Sequence, residues 1–331
     1  MPKPLLLVTM GDPAGIGPEI SARALVADDV REVSRPLVVG DARLMERTAL
    51  ALEVGARVRR LEAPEEALFR PDEIEVWDIP VQGVDAVRTG EVQALAGRAA
   101  FVYIQEAIRA TLSGRAAGIV TAPINKESLR AAKVPFIGHT EMLAELTGSH
   151  PAMTMFEVRG LRIFFLTRHL ALAEAIRQMT RNKVLEGIRR SIAGLKSLGV
   201  PHPSLAVAGL NPHAGEDGLF GDEEQREIRP AVETARSEGY EVTGPLPADS
   251  VFHHAAQGRF DAVLALYHDQ GHIAAKMMDF ERTVSVTLGL PILRTSVDHG
   301  TAFDIAGKGI ASPVSLVEAI RVAARYASKG A

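Results

Sequence analysis

Three histidines occupy equivalent places in the sequence. Each follows a short apolar segment typical of a buried β-strand: residues 161–166 precede His169, residues 204–210 precede His213, and residues 261–267 precede His268. Because strand carboxyl ends in an open α/β sheet face the crevice where ligands bind, we expect the three imidazoles at one sheet edge. Three imidazoles with open coordination positions are typical of a catalytic metal site. The alternative is that each is a polar loop residue.

The chain contains no cysteine, and this narrows the chemistry. Disulfides, thiolate zinc sites, iron–sulfur clusters and cysteine nucleophiles are all excluded. Any bound metal must therefore use His, Asp or Glu side chains, and imidazole is a good ligand for zinc, cobalt or nickel.

A glycine-rich turn, Gly11-Asp-Pro-Ala-Gly15-Ile-Gly17-Pro-Glu19, follows the apolar run Leu5–Thr9 and precedes a helical pattern. Pro18 suits the first turn of a helix, and a strand-to-helix turn of this kind often binds an anion or a cofactor. The turn lacks both the Gly-Lys-Ser/Thr ending of a P-loop and the spacing of the dinucleotide fingerprint. Any NAD site is therefore of a non-Rossmann kind, and the alternative is a plain tight turn.

A further group of residues could bind an anionic substrate. His139 and Thr140 precede a helical segment that Thr140 could cap, which would expose backbone N–H groups. Lys276 and Arg294 flank the last predicted strands; arginine binds carboxylate or phosphate through two parallel hydrogen bonds, and lysine supplies a point charge. The alternative for both cations is a solvated surface position. Asp249 is another polar candidate, and its alternative role is to cap a helix.

The composition is that of an ordinary globular protein: 331 residues, 47% of them hydrophobic and 24% charged. This length favours two domains. A net charge of −4 gives no overall basic footprint for nucleic acid. No stretch approaches the roughly 20 apolar residues of a membrane span, and the apolar run Leu5–Val8 is too short for a signal peptide. We therefore expect a soluble, cytoplasmic protein without a nucleic-acid or membrane partner.

Apolar runs alternate with helical patterns along the chain. Helices are predicted over residues 91–112, 170–198, 223–239 and 313–329, and further strands near residues 36–40, 117–123 and 282–288. This alternation favours the α/β class with a largely parallel sheet. We expect a discontinuous first domain, residues 1–130 with about 300–331, and a second domain over about 131–299.

Seven motifs carry a family resemblance. They are Met10-Gly-Asp-Pro-Ala-Gly-Ile-Gly-Pro-Glu19, Thr121-Ala-Pro-Ile-Asn-Lys126, Gly138-His-Thr-Glu-Met142, Gly209-Leu-Asn-Pro-His-Ala-Gly-Glu216, Tyr267-His-Asp-Gln-Gly271, Thr287-Leu-Gly-Leu-Pro291 and Arg294-Thr-Ser-Val-Asp-His-Gly-Thr301. Together they span nearly the whole chain. They resemble the signatures of the 4-hydroxythreonine-4-phosphate dehydrogenase family of pyridoxine biosynthesis, which includes a sister group acting on phosphorylated four-carbon sugar acids.

The resemblance implies a fold like that of isocitrate and isopropylmalate dehydrogenases, with two α/β domains flanking a cleft. It implies a homodimer with the active site at the subunit interface, where His268 of one subunit faces His169 and His213 of the other. It also implies oxidation of a secondary alcohol by NAD, with NADP as an alternative, followed by decarboxylation of the β-keto acid. By position the metal ligands are His169, His213 and His268, with zinc as the first choice of metal and cobalt or magnesium as alternatives.

The resemblance assigns further roles by position. The implied substrate contacts are His139, Thr140, Lys276, Ser285 and Arg294, and the implied catalytic residues are His268, Lys276 and Asp249. No residue is assigned to the nicotinamide cofactor. Ser285 stands where the vitamin-pathway enzymes carry Asn, and the segment Gly271–Lys276 looks closer to the sister group.

These departures leave the substrate open. The first expectation is 4-phosphooxy-L-threonine (4-hydroxythreonine 4-phosphate), converted to 3-amino-2-oxopropyl phosphate. The alternatives are D-threonate or D-erythronate 4-phosphate, or an aromatic cis-dihydrodiol carboxylate. More remote alternatives are a phosphate acyltransferase, which would need neither NAD nor three histidines, and a non-catalytic phosphate-binding protein.

Overall fold

The computed structural model describes residues 2–149 and 152–329. The chain divides into two compact units: unit 1 contains the residues up to Ala152 together with Thr287–Lys329, and unit 2 contains Met153–Val286. The sequence placed the boundaries near residues 130 and 300, whereas the contacts place them at 152/153 and 286/287. His139, Thr140 and Arg294 consequently belong to unit 1.

The described residues form alternating strands and helices, so the expected α/β class is confirmed. The strands are β1 (Leu5–Thr9), β2 (Arg35–Gly40), β3 (Arg57–Leu61), β4 (Glu73–Asp78), β5 (Gly118–Thr121), β6 (Met153–Val158), β7 (Leu161–Phe165), β8 (Leu205–Ala208), β9 (Val242–Leu246), β10 (Ala262–Ala265), β11 (Val284–Leu288) and β12 (Arg294–Val297). The α-helices are α1 (Gly17–Leu25), α2 (Asp28–Val33), α3 (Ala42–Ala51), α4 (Ala94–Leu112), α5 (Lys126–Ala131), α6 (His139–Leu146), α7 (Leu172–Arg177), α8 (Arg181–Ser197), α9 (Arg229–Ser237), α10 (Ala248–Ala256), α11 (His268–Met278) and α12 (Val314–Ala327). Over residues 2–149 and 152–329, no helix combines the length and the apolar character that a membrane span requires.

Unit 1 contains a parallel sheet with the strand order β3-β4-β2-β1-β5-β12. In β1, Leu6, Leu7 and Val8 are all fully buried, as expected for a parallel strand with helices on both faces. Asp41 begins α3 as its N-cap, because its Oδ1 accepts a hydrogen bond from Leu44 N at 2.7 Å. The apolar run Leu5–Thr9 of the sequence is therefore a buried strand.

Unit 2 contains strands in the order β6-β7-β10-β8-β9, with β6 antiparallel to β7 and the other pairs parallel. Helices α10 and α11 share an apolar core with one side of these strands, which includes Phe156, Ile163 and Phe165. Since β7, β10 and β8 are parallel neighbours, their carboxyl ends lie at one edge of the sheet. These are the three strands that the histidines follow.

Gly271 allows α11 to pack closely on β7. A Cβ atom at this position would lie 2.5 Å from Phe165 Cε1 and 2.8 Å from Ile163 Cγ2, which is closer than real Cβ contacts allow. Glycine therefore brings the first turns of α11, with His268, against the carboxyl half of β7.

Two predicted helices differ from those observed. The helix expected over residues 170–198 is two helices, α7 and α8, with Thr180 as the N-cap of α8. The helix expected over residues 223–239 starts with a π-helical turn, Glu224–Ile228, before α9. Such π-turns often occur at functional sites, and this one follows the loop of His213.

Candidate active site

Arg294, the first residue of β12, is a buried cation with 4% of its surface exposed. Its Nη1 donates to Thr287 Oγ1 at 2.9 Å and its Nη2 to Thr121 Oγ1 at 2.7 Å, so two hydroxyls fix the guanidinium beside the carboxyl end of β5. Its Nε has no hydrogen-bond partner within the described residues. Burial lowers the pKa of Arg294 to about 9, because the charged form loses hydration there.

His139 lies close to this cation. It is the first residue of α6, and its Nε2 is buried without a hydrogen-bond partner in the described part of the chain. Burial lowers the pKa of His139 well below its usual range, and the charge of Arg294 lowers it further. The imidazole is therefore neutral at physiological pH and presents a polar nitrogen that the protein leaves unsatisfied.

Thr140 is the second residue of α6 and is half-buried. The expectation that Thr140 caps this helix is wrong, because Gly138 takes the N-cap position and forms no side-chain cap. The first N–H groups of α6 thus remain for another acceptor, and a helix start favours an anion. A buried guanidinium, an unsatisfied imidazole nitrogen and a helix start together suit a phosphate, which has several strong acceptor oxygens.

Asp12 was not singled out from the sequence, although it lies inside the glycine-rich turn. Its side chain is fully buried; Oδ1 accepts from Ala14 N at 2.8 Å, and Oδ2 has no hydrogen-bond partner within the described residues. Burial raises the pKa of Asp12, against an opposing contribution from the Ala14 N–H. Gly11 has φ +75°, and a Cβ there would lie 2.4 Å from Pro123 O, so only glycine allows this turn to pack on the chain that follows β5.

His169 and His268 are close together at the carboxyl edge of unit 2, with 5.9 Å between their ring centroids. The pairing of β7 with β10 brings them together within one chain. Two imidazoles bound to one tetrahedral zinc ion would have centroids roughly 5 Å apart, given zinc–nitrogen distances of about 2.0 Å. A partner subunit is therefore not needed to bring these two rings near one another.

The orientation of His268 is fixed from two sides. Its Nδ1 lies 2.6 Å from Asp269 Oδ1, which leaves Nε2 as the nitrogen for another ligand. Its ring stacks on His272, with 3.5 Å between centroids and 12° between planes. His272 in turn packs against Phe156 and Phe165, each at 4.4 Å between centroids. A carboxylate bonded to the second nitrogen is the usual environment of a metal-bound histidine.

His213 lies in an exposed turn of unusual conformation. Residues 213–217 all have positive φ, including His213 at +55° and Asp217 at +53°. Left-handed conformations of non-glycine residues are rare and often occur at functional sites. Among the described residues, no three His, Asp or Glu side chains form a group that could already hold a metal ion. His213 therefore does not complete a site with His169 and His268 in this conformation of one chain.

The donor set nevertheless fits a divalent metal. Two imidazoles lie at a distance suited to a shared ion, and one of them has its second nitrogen held by a carboxylate. No thiol competes for the ion, since the chain has no cysteine. Two imidazole ligands are compatible with zinc or cobalt.

The other three predicted site residues, Lys276, Asp249 and Ser285, lie on three different elements of the fold. Lys276, on α11, is half-buried, and its Nζ lies 5.1 Å from the centroid of the Phe280 ring. Asp249 is exposed in the first turn of α10; the N-cap there is Pro247, so Asp249 does not cap the helix. Ser285 is half-buried within β11.

Comparisons with known proteins place the chain in a family. The family described as "Pyridoxal phosphate biosynthetic protein PdxA" matches residues 32–323. A Symbiobacterium thermophilum protein, provisionally named D-threonate 4-phosphate dehydrogenase, is 60% identical over 326 residues, which cover 98% of this chain and 97% of that protein.

Solved structures agree with this match. The 4-hydroxythreonine-4-phosphate dehydrogenase of Klebsiella pneumoniae superimposes with a TM-score of 0.90 at 43% identity, covering 98% of this chain and all of that one. A terephthalate 1,2-cis-dihydrodiol dehydrogenase from Burkholderia xenovorans LB400 gives a TM-score of 0.67 at 30% identity, covering 98% of both chains. The resemblance seen in the sequence motifs is thus confirmed, and the chain belongs to the PdxA family of dehydrogenases.

Proposed function

We propose that this protein is an NAD-dependent and divalent-metal-dependent dehydrogenase that oxidises and decarboxylates a four-carbon hydroxy acid carrying a 4-phosphate. D-Threonate 4-phosphate is the first candidate and 4-phosphooxy-L-threonine the second, which reverses the order favoured by the sequence motifs. The identity of 60% to a relative named for the first substrate, against 43% to an enzyme named for the second, supports this order. NADP is the alternative cofactor, and a cytoplasmic location is part of the proposal.

The proposal depends on the buried Arg294 and on His139, whose Nε2 is buried. Each has a side-chain nitrogen without a hydrogen-bond partner among the described residues, and Arg294 carries a desolvated charge. Buried polar groups are normally satisfied, so unsatisfied groups around a cation indicate a ligand that supplies acceptors. The phosphate of the substrate would supply them, with the backbone N–H groups at the start of α6 beside Thr140.

The metal would be held by His169, His213 and His268, with zinc as the first choice and cobalt or magnesium as alternatives. When bound, a divalent ion supplies Lewis-acid polarisation of the substrate hydroxyl and of the carbonyl formed from it. The chain's own contribution is to fix the donors before the ligand arrives, as Asp269 and His272 do for His268. Lys276 would bind an anionic end of the substrate, and with Asp249 it is the proposed proton-transfer residue.

The proposed reaction begins with oxidation at C3. The C3–H bond breaks as hydride passes from C3 to NAD, and the C3 hydroxyl loses its proton. The ketone formed lies β to the carboxylate, so cleavage of the C1–C2 bond releases carbon dioxide, and C2 then takes up a proton. D-Threonate 4-phosphate would give dihydroxyacetone phosphate, and 4-phosphooxy-L-threonine would give 3-amino-2-oxopropyl phosphate.

An exposed apolar surface in unit 2 supports a homodimer. Large apolar side chains follow each of the three histidines and remain exposed: Leu170, Leu172 and Ile176 after His169, Leu219 and Phe220 after His213, and Ile273, Met277 and Phe280 after His268. Met277 is 82% exposed. Soluble monomers rarely expose large apolar patches, and a second copy of the chain would cover these side chains.

The proposal is tested by following NADH formation with each phosphorylated acid in turn. After chelation and dialysis, activity should disappear, and zinc or cobalt should restore it. We expect D-threonate 4-phosphate to give the highest kcat/KM, with one carbon dioxide and one dihydroxyacetone phosphate released for each NADH. A higher kcat/KM with 4-phosphooxy-L-threonine would make that compound the first candidate substrate instead.

The same assay addresses the rival classes. An acyltransferase or a phosphate-binding protein would reduce no NAD with any of these acids. Full activity in a metal-free preparation would end the metal proposal, whatever the substrate. An aromatic cis-dihydrodiol carboxylate serves as the unphosphorylated comparison, and we expect no turnover because the Arg294 site would stay empty.

A further inference from the structure

The loops that carry the histidines are joined by side chains bonded to backbone groups, and one glutamine joins two of the strand ends. Gln270 lies in the first turn of α11, two residues after His268. Its Oε1 accepts a hydrogen bond from Leu266 N at 2.7 Å, and its Nε2 donates to Gly209 O at 2.7 Å. Leu266 directly follows β10 and Gly209 directly follows β8, so this single side chain spans the carboxyl ends of two paired strands.

A threonine extends the connection to the third strand. Thr167 is buried two residues before His169, and its Oγ1 donates to Leu266 O at 2.8 Å. Leu266 therefore accepts from the β7 side through its C=O and donates to Gln270 through its N–H. The position of the chain before His169 is thereby tied to the position of the chain before His268.

A buried glutamate fixes the chain that leads into the His213 turn. Glu224 is 1% exposed, and its Oε1 accepts from Leu210 N and Asn211 N, each at 2.7 Å. Its Oε2 accepts from Asn211 Nδ2 at 2.9 Å. The residues just before the left-handed turn are thus fixed by a carboxylate that follows the turn.

We infer that Gln270 is a positioning residue of the metal site, which holds in place both the chain that leads into the His213 turn and the chain that leads into His268. This inference rests on the proposed function, since it concerns the metal that the histidines would hold. An amide suits this place because the two backbone groups are of opposite kind, one N–H and one C=O, and an amide both accepts and donates. Groups that hold metal ligands in place typically change metal affinity by about 10- to 100-fold when they are removed.

The test compares zinc and cobalt affinities of the full-length protein. Gln270→Met keeps much of the side-chain volume but loses both hydrogen bonds, and we expect zinc to bind about 10- to 100-fold more weakly. Gln270→Glu keeps the acceptor for Leu266 N but faces Gly209 O with a second acceptor, and it should also bind zinc more weakly. The visible spectrum of the cobalt-loaded variants should show altered coordination. Zinc affinity equal to that of the wild type in both variants would overturn the inference.

Gln93→Met is the matched control. Gln93 is also half-buried and also bonds to backbone with both ends, accepting from Arg88 N at 3.1 Å and donating to Arg88 O at 2.6 Å, but it lies in unit 1. The Gln93→Met variant should lose about as much thermal stability as Gln270→Met and should keep the wild-type metal affinity. Weaker zinc binding in this control as well would show a general loss of stability and overturn the specific role of Gln270.

Histidine ring NMR of the metal-free proteins separates this inference from the proposed function. Gln270→Met should shift the ring resonances of His213 and His268, whereas Gln93→Met should leave them in place. Unshifted resonances in Gln270→Met would overturn the inference even if zinc binds. A wild-type protein that binds no metal would refute the proposed metal dependence, while the NMR comparison would still test the positioning role.

Discussion

Replacing the buried guanidinium of Arg294 with a hydrocarbon should stabilise the ligand-free protein and abolish its response to phosphate. Burial lowers the pKa of Arg294 from its ordinary value to about 9. At about 1.4 kcal/mol for each pKa unit, this fall corresponds to a penalty of about 5 kcal/mol on the charged form. Because the folded pKa lies below the unfolded one, the penalty is fully present at neutral pH and is relieved as the pH rises above about 9 toward the ordinary pKa of arginine.

The substitution Arg294→Met removes this charge but also removes two hydrogen bonds. The hydroxyls of Thr121 and Thr287 lose their donor, at about 1 kcal/mol each. We therefore expect a net stabilisation of about 1–3 kcal/mol, in line with other replacements of buried charges by apolar side chains. For a unit of this size, that would raise the thermal midpoint by roughly 2–10 °C.

Phosphate should stabilise the wild type but not the Arg294→Met variant. Inorganic phosphate at 100 times its dissociation constant would stabilise the wild type by about 2.7 kcal/mol and Arg294→Met by almost nothing. The assay is thermal unfolding followed by circular dichroism at pH 7.5, with chloride used to keep the ionic strength constant. The control Arg321→Met removes an exposed cation of α12 that pairs with Glu318 and Asp29 at the surface, so stability should change by no more than about 1 kcal/mol and the phosphate response should remain.

Two results would refute the reasoning. If ligand-free Arg294→Met unfolds at a lower temperature than the wild type, burial of this charge is not the penalty that its depressed pKa indicates. If phosphate still stabilises Arg294→Met as it does the wild type, the anion binds elsewhere.

Two further predictions follow from the same geometry. Because the folded protein keeps His139 neutral while the unfolded chain protonates near its ordinary pKa of 6.5, the wild type should lose stability below about pH 6.5. Below about pH 6.5, the free energy of unfolding of His139→Asn should fall less steeply than that of the wild type, by up to about 1.4 kcal/mol for each pH unit. Urea unfolding at pH 7.5 and 5.5 measures this difference, and equal losses in the two proteins would contradict the prediction. Met277→Glu should convert a dimer to a monomer in light scattering, whereas Leu50→Glu, at a residue 78% exposed in unit 1, should not; a dimeric Met277→Glu protein would exclude this surface as the interface.

The sequence predicts the place of His169 and His268 well. Apolar strands, the residues that follow them and the parallel class together determine which side chains share one sheet edge. The left-handed conformation of the chain at His213 could not be predicted, because Ala214 and Glu216 have no intrinsic preference for positive φ. That conformation depends on long-range contacts, such as those of Glu224, which short-range patterns do not encode.

The burial of Arg294 could not be predicted from sequence patterns either. An arginine at the start of a strand is normally exposed, and here only the packing of β12 beside β5 and the hydroxyls of Thr121 and Thr287 hold it inside. Strands such as β3, with the sequence Arg57-Val-Arg-Arg-Leu61, were missed for a related reason. Their charged residues hide the apolar alternation, and carboxylates on the neighbouring strand, such as Glu73 and Glu75, balance the charge.

Each candidate site holds its unfavourable groups in place before a ligand binds. In unit 1 the unfavourable group is a desolvated cation, and in unit 2 it is a turn of left-handed residues that costs roughly 1–2 kcal/mol at each non-glycine position. Such arrangements persist only where the surroundings determine them, and the bonds of Gln270 and Glu224 do this for the His213 turn. Because the penalty of the desolvated Arg294 cation is already included in the folded state, a phosphate would not have to order that site. Its full contact energy would then appear as affinity and as added stability of the loaded protein.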